Sequence, residues 1–280
     1  MNLGHLGINV SDLDRSVAWY VAVLGARRLG EAFVMPDGTR VRFLAVGSFE
    51  IEMIEPATQL PADVDSDTAC AGFHLGVTVA DAEDELARLS ACGVDKISEP
   101  EQTGDTAVFA VHGPDGELLR FTARGGQPTA PLVGHLGVNV SGVEDAAAWF
   151  ERYFGVAAAD LEAADVPGGR RARTVPAGPA YLELVGVAVQ DGPARAQPPS
   201  FQQVGSWHLC LDVEDPAVVH EAMTTAGETI VVPLTAPDRG AYRGRSHFFG
   251  RGPDGVLVQV RALRRRPSRP STADSRRKES

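Results

Sequence analysis

Gly4-His5-Leu6-Gly7-Ile8-Asn9-Val10 recurs as Gly134-His135-Leu136-Gly137-Val138-Asn139-Val140, with one change between the copies. Two looser versions are His74-Leu75-Gly76-Val77-Thr78-Val79 and His208-Leu209-Cys210-Leu211-Asp212-Val213. Each opens with a histidine and then alternates in the way of a half-buried strand. Leu6, Ile8 and Val10 share one face; His5, Gly7 and Asn9 share the other. The residue two past the histidine is always small (Gly7, Gly76, Gly137, Cys210), so the histidine face stays open while the opposite face is built to pack.

The four phrases divide the chain into four modules. In the first, strand 3–10 meets a helix start at Ser11-Asp12-Leu13-Asp14, with Val17, Tyr20, Val21 and Leu24 at helical spacing and Gly25 placed to end the helix. Strands 31–35, 40–46 and 49–55 follow, joined by Pro36-Asp37-Gly38 and Gly47-Ser48, in the order β-α-β-β-β. The second module has a helix carrying Leu86 and Leu89, strand 107–111, the turn Pro114-Asp115-Gly116 and strand 117–123. The third repeats the first, with a helix around 146–154 that stops at Gly155 and a last strand 181–185. The fourth repeats the second, closing with Pro253-Asp254-Gly255 and strand 256–261. The Gly- and Pro-containing stretch 125–128 separates the halves, and the Pro-rich stretch 192–199 reads as a linker. The expected fold class is α+β: four βαβββ modules paired into two cup-shaped domains, residues 1–126 and 132–263, with a disordered basic tail at 264–280.

Composition is that of a soluble globular protein, with no apolar run of membrane-spanning length and no recognisable signal peptide. Three cysteines without CxxC spacing argue against a disulfide framework and fit a reducing cytoplasm. The tail from Arg264 has seven Lys or Arg against two Asp or Glu, so it carries +5 and leaves −16 on the body of a chain whose net charge is −11. That excludes general nucleic-acid binding by the folded part and leaves a small-molecule ligand as the expected partner of a monomer or homodimer.

The last strand of each module holds a polar residue between apolar ones. Glu52 follows His5 by 47 residues, Glu183 follows His135 by 48, Arg120 follows His74 by 46 and Gln259 follows His208 by 51. Strand parity turns each away from the core, toward whatever its histidine faces. A lone histidine or flanked glutamate reads as structural. Four histidines in register do not, because a repeated packing pattern has no reason to repeat histidine. A cup lined by His, Glu, His and Gln suits one divalent first-row ion, with positions left for substrate or water.

This plan resembles the vicinal oxygen chelate superfamily, which includes glyoxalase I, methylmalonyl-CoA epimerase, type I extradiol dioxygenases, and fosfomycin- and bleomycin-resistance proteins. The resemblance spans about residues 3 to 262 and rests on the βαβββ repeat, the leading histidines, the Pro-Asp-Gly turn and the polar position in the last strand. It implies glyoxalase-like domains in which each of two modules gives one His and one carboxylate or amide to a metal, which would be Ni, Co, Zn, Mn, Fe or Mg. Pairing within each half makes His135, Glu183, His208 and Gln259 the complete set, with His5, Glu52 and His74 a degenerate one. Arg120 fills the fourth position there, pairing with Glu52 or binding an anionic group. If modules 1 and 4 share a cup instead, the complete set is His5, Glu52, His208 and Gln259.

The implied chemistry is that of a metal-dependent lyase or isomerase working through a metal-stabilised enediolate or enolate, with Glu183 as ligand and base. A ring-cleaving extradiol dioxygenase is the alternative, although Gln259 stands where that group has Glu and Phe249 where it has Tyr. A non-catalytic binding or resistance protein is the second alternative. His247, before Phe248 and Phe249, is a candidate acid or base. Tyr242, Arg243 and Arg245 are candidates for closing over an anionic substrate, while His112 and His220 read as structural.

Overall fold

The computed structural model describes residues 1–61, 70–94, 97–126, 130–160, 170–187, 200–237 and 244–263. The expected linker 192–199, the tail 264–280, and Tyr242 and Arg243 lie outside the described residues.

Module 1 is β1 (Asn2–Asn9), α1 (Leu13–Leu24), β2 (Arg27–Val34), β3 (Arg40–Val46) and β4 (Phe49–Glu55). Module 2 is β5 (Phe73–Val79), α2 (Ala82–Ala91), β6 (Glu101–Thr103), β7 (Thr106–His112) and β8 (Leu118–Arg124). Module 3 is β9 (Leu132–Val140), α3 (Val143–Phe154), β10 (Ala159–Asp160), β11 (Ala172–Ala177) and β12 (Ala180–Gly186). Module 4 is β13 (Trp207–Val213), α4 (Pro216–Thr225), β14 (Ile230–Thr235), β15 (His247–Arg251) and β16 (Leu257–Ala262). The four-fold βαβββ plan is therefore present. In α1, the Asp12 carboxylate accepts the Arg15 N–H at the first turn, while Leu13, Val17, Tyr20 and Leu24 form the buried stripe. Gly25 and Gly155 end α1 and α3 in the left-handed region, at φ 62° and 65°, where a side chain would be strained.

The modules join in an order different from the within-half pairing. One eight-stranded sheet runs β14-β15-β16-β13-β1-β4-β3-β2 and the other runs β10-β11-β12-β9-β5-β8-β7-β6. Module 1 therefore shares a sheet with module 4, and module 2 with module 3. The leading strands make the joins antiparallel, β1 to β13 and β5 to β9, and each leading strand lies parallel to the last strand of its own module.

Register explains the small residue two past each histidine. Gly7 lies opposite His208, Gly137 opposite His74 and Gly76 opposite His135. A Cβ at any of these glycines would fall 1.8–1.9 Å from the opposing imidazole. The small residues thus seat the partner module's histidine across the strand pair. Cys210 lies opposite His5.

Within each half, contact is made by other means. The Asp115 carboxylate accepts the Ser11 N–H at 3.0 Å and the Ser11 hydroxyl at 2.6 Å. Asp254 does the same for Ser141, at 2.8 and 2.6 Å. The Pro-Asp-Gly turns of modules 2 and 4 are thereby clamped to the strand–helix junctions of modules 1 and 3. Arg88 of α2 donates to the Ala22 and Val23 carbonyls at the end of α1, and Glu228 accepts from Trp149 and Tyr153 of α3. The apolar strand faces and helix stripes of all four modules form one continuous cluster, in which Leu6, Ile8, Leu75, Leu136 and Leu209 are fully buried. Each such side chain contributes roughly 1.5–3 kcal/mol by leaving water. Among the described residues, no helix is long and apolar enough to cross a membrane.

Candidate metal centre

On the first sheet, β1, β4 and β13 bring His5, Glu52 and His208 together. His5 Nε2 stands 3.1 Å from Glu52 Oε2 and 3.1 Å from His208 Nε2, and His208 Nε2 stands 3.4 Å from the same carboxylate oxygen. Donor atoms about 2.0–2.2 Å from one shared ion, at tetrahedral or octahedral angles, are separated by roughly 2.9–3.5 Å. The three atoms already have that spacing. Gln259 on β16 is in register with Cys210 and opposite Phe249, whose ring meets the His208 ring edge-on at 5.3 Å. Gln259 therefore shares the histidine face. Its Oε1 is buried and has no hydrogen-bond partner among the described residues, a cost of roughly 1–3 kcal/mol that coordination of a cation would offset. Phe43 closes the other side, 5.8 Å from the His5 ring.

The electrostatics match a ligating set. Burial pulls the His5 pKa down to about 4, against the opposing pull of Glu52, so the imidazole is neutral at pH 7 and has a lone pair to donate. Burial pushes the Glu52 carboxyl up, but hydrogen bonds and charge from His208 and His5 outweigh it and hold the group well below the ordinary carboxylate range. His5 Nδ1 is buried without a hydrogen-bond partner among the described residues.

The second sheet carries a parallel arrangement with one change. Glu183 Oε2 lies 2.9 Å from His74 Nε2 and 3.4 Å from His135 Nε2, and the two imidazole nitrogens are 3.3 Å apart. Arg120 holds the position that Gln259 holds in the first sheet, and its Nη1 reaches the same Glu183 oxygen at 3.3 Å. A guanidinium donates and cannot ligate. The His135 ring also stacks on Tyr181 at 4.9 Å. Burial pulls the His74 pKa down to about 3.

These positions correct the set expected from pairing within each half. His135 and Glu183 belong to the second sheet, His208 and Gln259 to the first. Likewise His5 and Glu52 are separated from His74. Arg120 pairs with Glu183, not Glu52. Of the quartet expected from a cup shared by modules 1 and 4, His5, Glu52 and His208 converge and Gln259 lies on the same strand face; His74, His135 and Glu183 converge on the second sheet. The physical reason lies in the leading strands: alternation fixes which face each donor occupies, but not which strand becomes its neighbour.

His247 does lie on the face of Glu52. It sits two residues before Phe249 on β15, is buried, and has Nδ1 3.2 Å from the Arg245 carbonyl oxygen; burial lowers its pKa. Arg245 is held in place: its Nε and Nη2 donate to the Ala262 carbonyl at 3.0 and 2.8 Å, and Nη2 reaches both Asp212 oxygens at 3.1 Å. Asp212 and Arg261 went unnoticed in the sequence. Parity held the signal, since they fall four residues past His208 and two past Gln259.

The sequence profile of the glyoxalase/bleomycin resistance protein/dioxygenase superfamily matches residues 2–121 and 132–260. A relative from Arabidopsis thaliana, named "Probable lactoylglutathione lyase, chloroplastic", is 26% identical over 155 residues, which are 54% of this chain and 43% of that relative's length. Glyoxalase I from Zea mays superposes with a TM-score of 0.69 at 19% identity, over 93% of this chain and 92% of that one. A variant of the maize enzyme gives 0.70 at 20% identity, over 93% and 92%. Likeness at that identity speaks for the fold alone. With the profile covering both halves, the chain belongs to the glyoxalase/bleomycin resistance protein/dioxygenase superfamily.

Proposed function

We propose that this protein is a metal-dependent lyase or isomerase with one catalytic centre, built by His5, Glu52, His208 and Gln259. The observation that carries the reading is the convergence of two imidazoles and a carboxylate on one buried point, on the same strand face as an amide oxygen that has no hydrogen-bond partner among the described residues. A divalent ion bound there would polarise a substrate carbonyl oxygen and make the adjacent C–H more acidic. His5 and His208 orient the Glu52 carboxylate, which is held ionised and accepts that proton. Phe43 and Phe249 shield the donors from water. The second cup, with Arg120 tied to Glu183, is read as the non-catalytic one.

Metal analysis of the purified protein, followed by solvent deuterium exchange into a ketone or thioester, tests this reading. His208→Ala is expected to lose both metal and exchange. Glu52→Gln is expected to retain most of the metal and to lose exchange by roughly 10²–10⁴-fold. Full exchange activity in His208→Ala would sink it. A second reading follows from the two His and one carboxylate, a set that also suits non-haem Fe(II) oxygenases. Oxygen uptake with a catechol, in place of deuterium exchange, would favour it.

A further inference from the structure

The two sheets are copies of one plan, so each serves as a control for the other. Beyond the metal donors, the first sheet carries a charged cluster on the same face. Arg261 Nε and Nη2 reach Asp212 at 2.7 and 3.3 Å, and Arg245 Nη2 reaches both oxygens of the same carboxylate. His247 lies opposite Arg261 in the strand pairing. Gly4 makes room: a Cβ there would stand 2.9 Å from Arg261 Nη2 and from Asp212 Oδ1. The same register positions in the second sheet hold Thr78, Thr122 and Val108, and among the described residues a Cβ at Gly134 would meet only the Thr78 hydroxyl, at 3.8 Å. The fold is therefore made equally well without this cluster. It accompanies the cup that has Gln259 and is missing from the cup that has Arg120.

Its chemistry points to an anion. Two guanidiniums converge on one carboxylate, so they oppose each other's charge and the trio keeps one net positive charge. Arg245 commits Nε and Nη2 to Ala262 and Asp212, and its Nη1 makes no hydrogen bond among the described residues. Asp212 holds the guanidinium plane in place. At about 3.3 Å of strand rise per residue, Arg261 is roughly 7 Å along the strand from Gln259, about the span from a chelating oxygen pair to an acid group a few carbons away.

We infer that the ligand of the metal-bearing cup carries a carboxylate a few carbons from its metal-chelating oxygens, and that Arg245, braced by Asp212 and beside Arg261, receives it. The inference rests on the metal-centre reading of this cup and adds the class of ligand. It is tested with two simple 2-oxo acids that differ in the distal carboxylate: 2-oxoglutarate and 2-oxobutyrate. Each is titrated calorimetrically into cobalt-loaded and chelator-stripped protein, for wild type, Arg245→Gln and Arg245→Lys, with melting temperatures recorded. Cobalt-loaded wild type is expected to bind 2-oxoglutarate at least about tenfold more tightly than 2-oxobutyrate, the scale of one charge-assisted contact. Arg245→Gln should reduce that ratio to within about twofold at unchanged cobalt affinity, and Arg245→Lys should restore part of it. Equal affinities in wild type, no measurable binding of either acid, or a ratio that survives Arg245→Gln overturns the inference. Stripping cobalt should weaken both acids and leave their ratio in place. A ratio that depends on Arg245 in protein that takes up no cobalt would support the carboxylate site while removing the metal-centre reading.

Discussion

Arg120 and Gln259 occupy equivalent strand positions, and the difference between them should set how many ions the chain binds. In the second sheet a guanidinium ion-paired to Glu183 takes the place of a neutral oxygen donor and brings a positive charge against any incoming cation. Wild type is expected to bind close to one divalent ion per chain tightly, and Arg120→Gln close to two, by elemental analysis and calorimetric titration. Two equally tight sites in wild type would contradict the role given to Arg120. Donor identity was readable at this scale, because alternation alone places His5, Glu52, His208 and Gln259 on faces opposite their apolar neighbours. The smallness of Gly7, Gly76 and Gly137 was readable too, but its cause was not. The atoms that each would meet belong to a histidine some 60 to 200 residues distant, brought opposite by a strand pairing that no local pattern encodes.

Among the elements, the turn between β7 and β8 joins modules 1 and 2 and carries a titration of its own. Glu117, directly after the Pro-Asp-Gly turn, is fully buried. Burial, opposed by hydrogen bonds from the backbone and reinforced by Asp115, pushes its pKa from the ordinary 4.5 up to about 7. Between those values the unfolded chain releases the proton that the fold retains, so stability falls as pH rises from about 4.5 to 7 and levels off above, by about 3 kcal/mol in all. Glu117→Gln should remove the slope: urea melts are expected to show the variant more stable than wild type at pH 8, with the gap closing toward pH 4.5. A wild-type gap that does not change with pH would refute this. Interior elements were the legible ones. The expected strands 40–46 and 49–55 coincide with β3 and β4. The edge strand β2 begins at Arg27 where 31 was expected, because Arg27, Arg28 and Glu31 face water on a strand without apolar alternation.

At the scale of the whole molecule the modules form a closed circuit. Sheets join module 1 to 4 and 2 to 3; helices and clamped turns join 1 to 2 and 3 to 4. The sequence revealed the four units and both arrangements of them, and could not choose, since the two leading strands that pair lie in opposite halves of the chain. Separate expression makes the choice measurable. Residues 1–126 alone hold His5, Glu52 and His74, and residues 130–280 alone hold His135, Glu183, His208 and Gln259. Neither piece is expected to bind metal tightly, and a mixture should recover the single tight site. Tight binding by the second piece alone would mean that His135 and Glu183 can join His208 and Gln259 after all.

The crossed pairing also has a kinetic consequence. Each cup is an interface between two halves of one polypeptide, so the short connection between Leu118–Arg124 and Leu132–Val140 replaces an encounter in solution by an intramolecular search. A short linker sets a local concentration on the order of millimolar. Activity per molecule of the intact chain should be indifferent to dilution, whereas that of the mixed halves should fade as they are diluted below the affinity of one for the other. The covalent join acts as a fixed local concentration of each half around the other's donors.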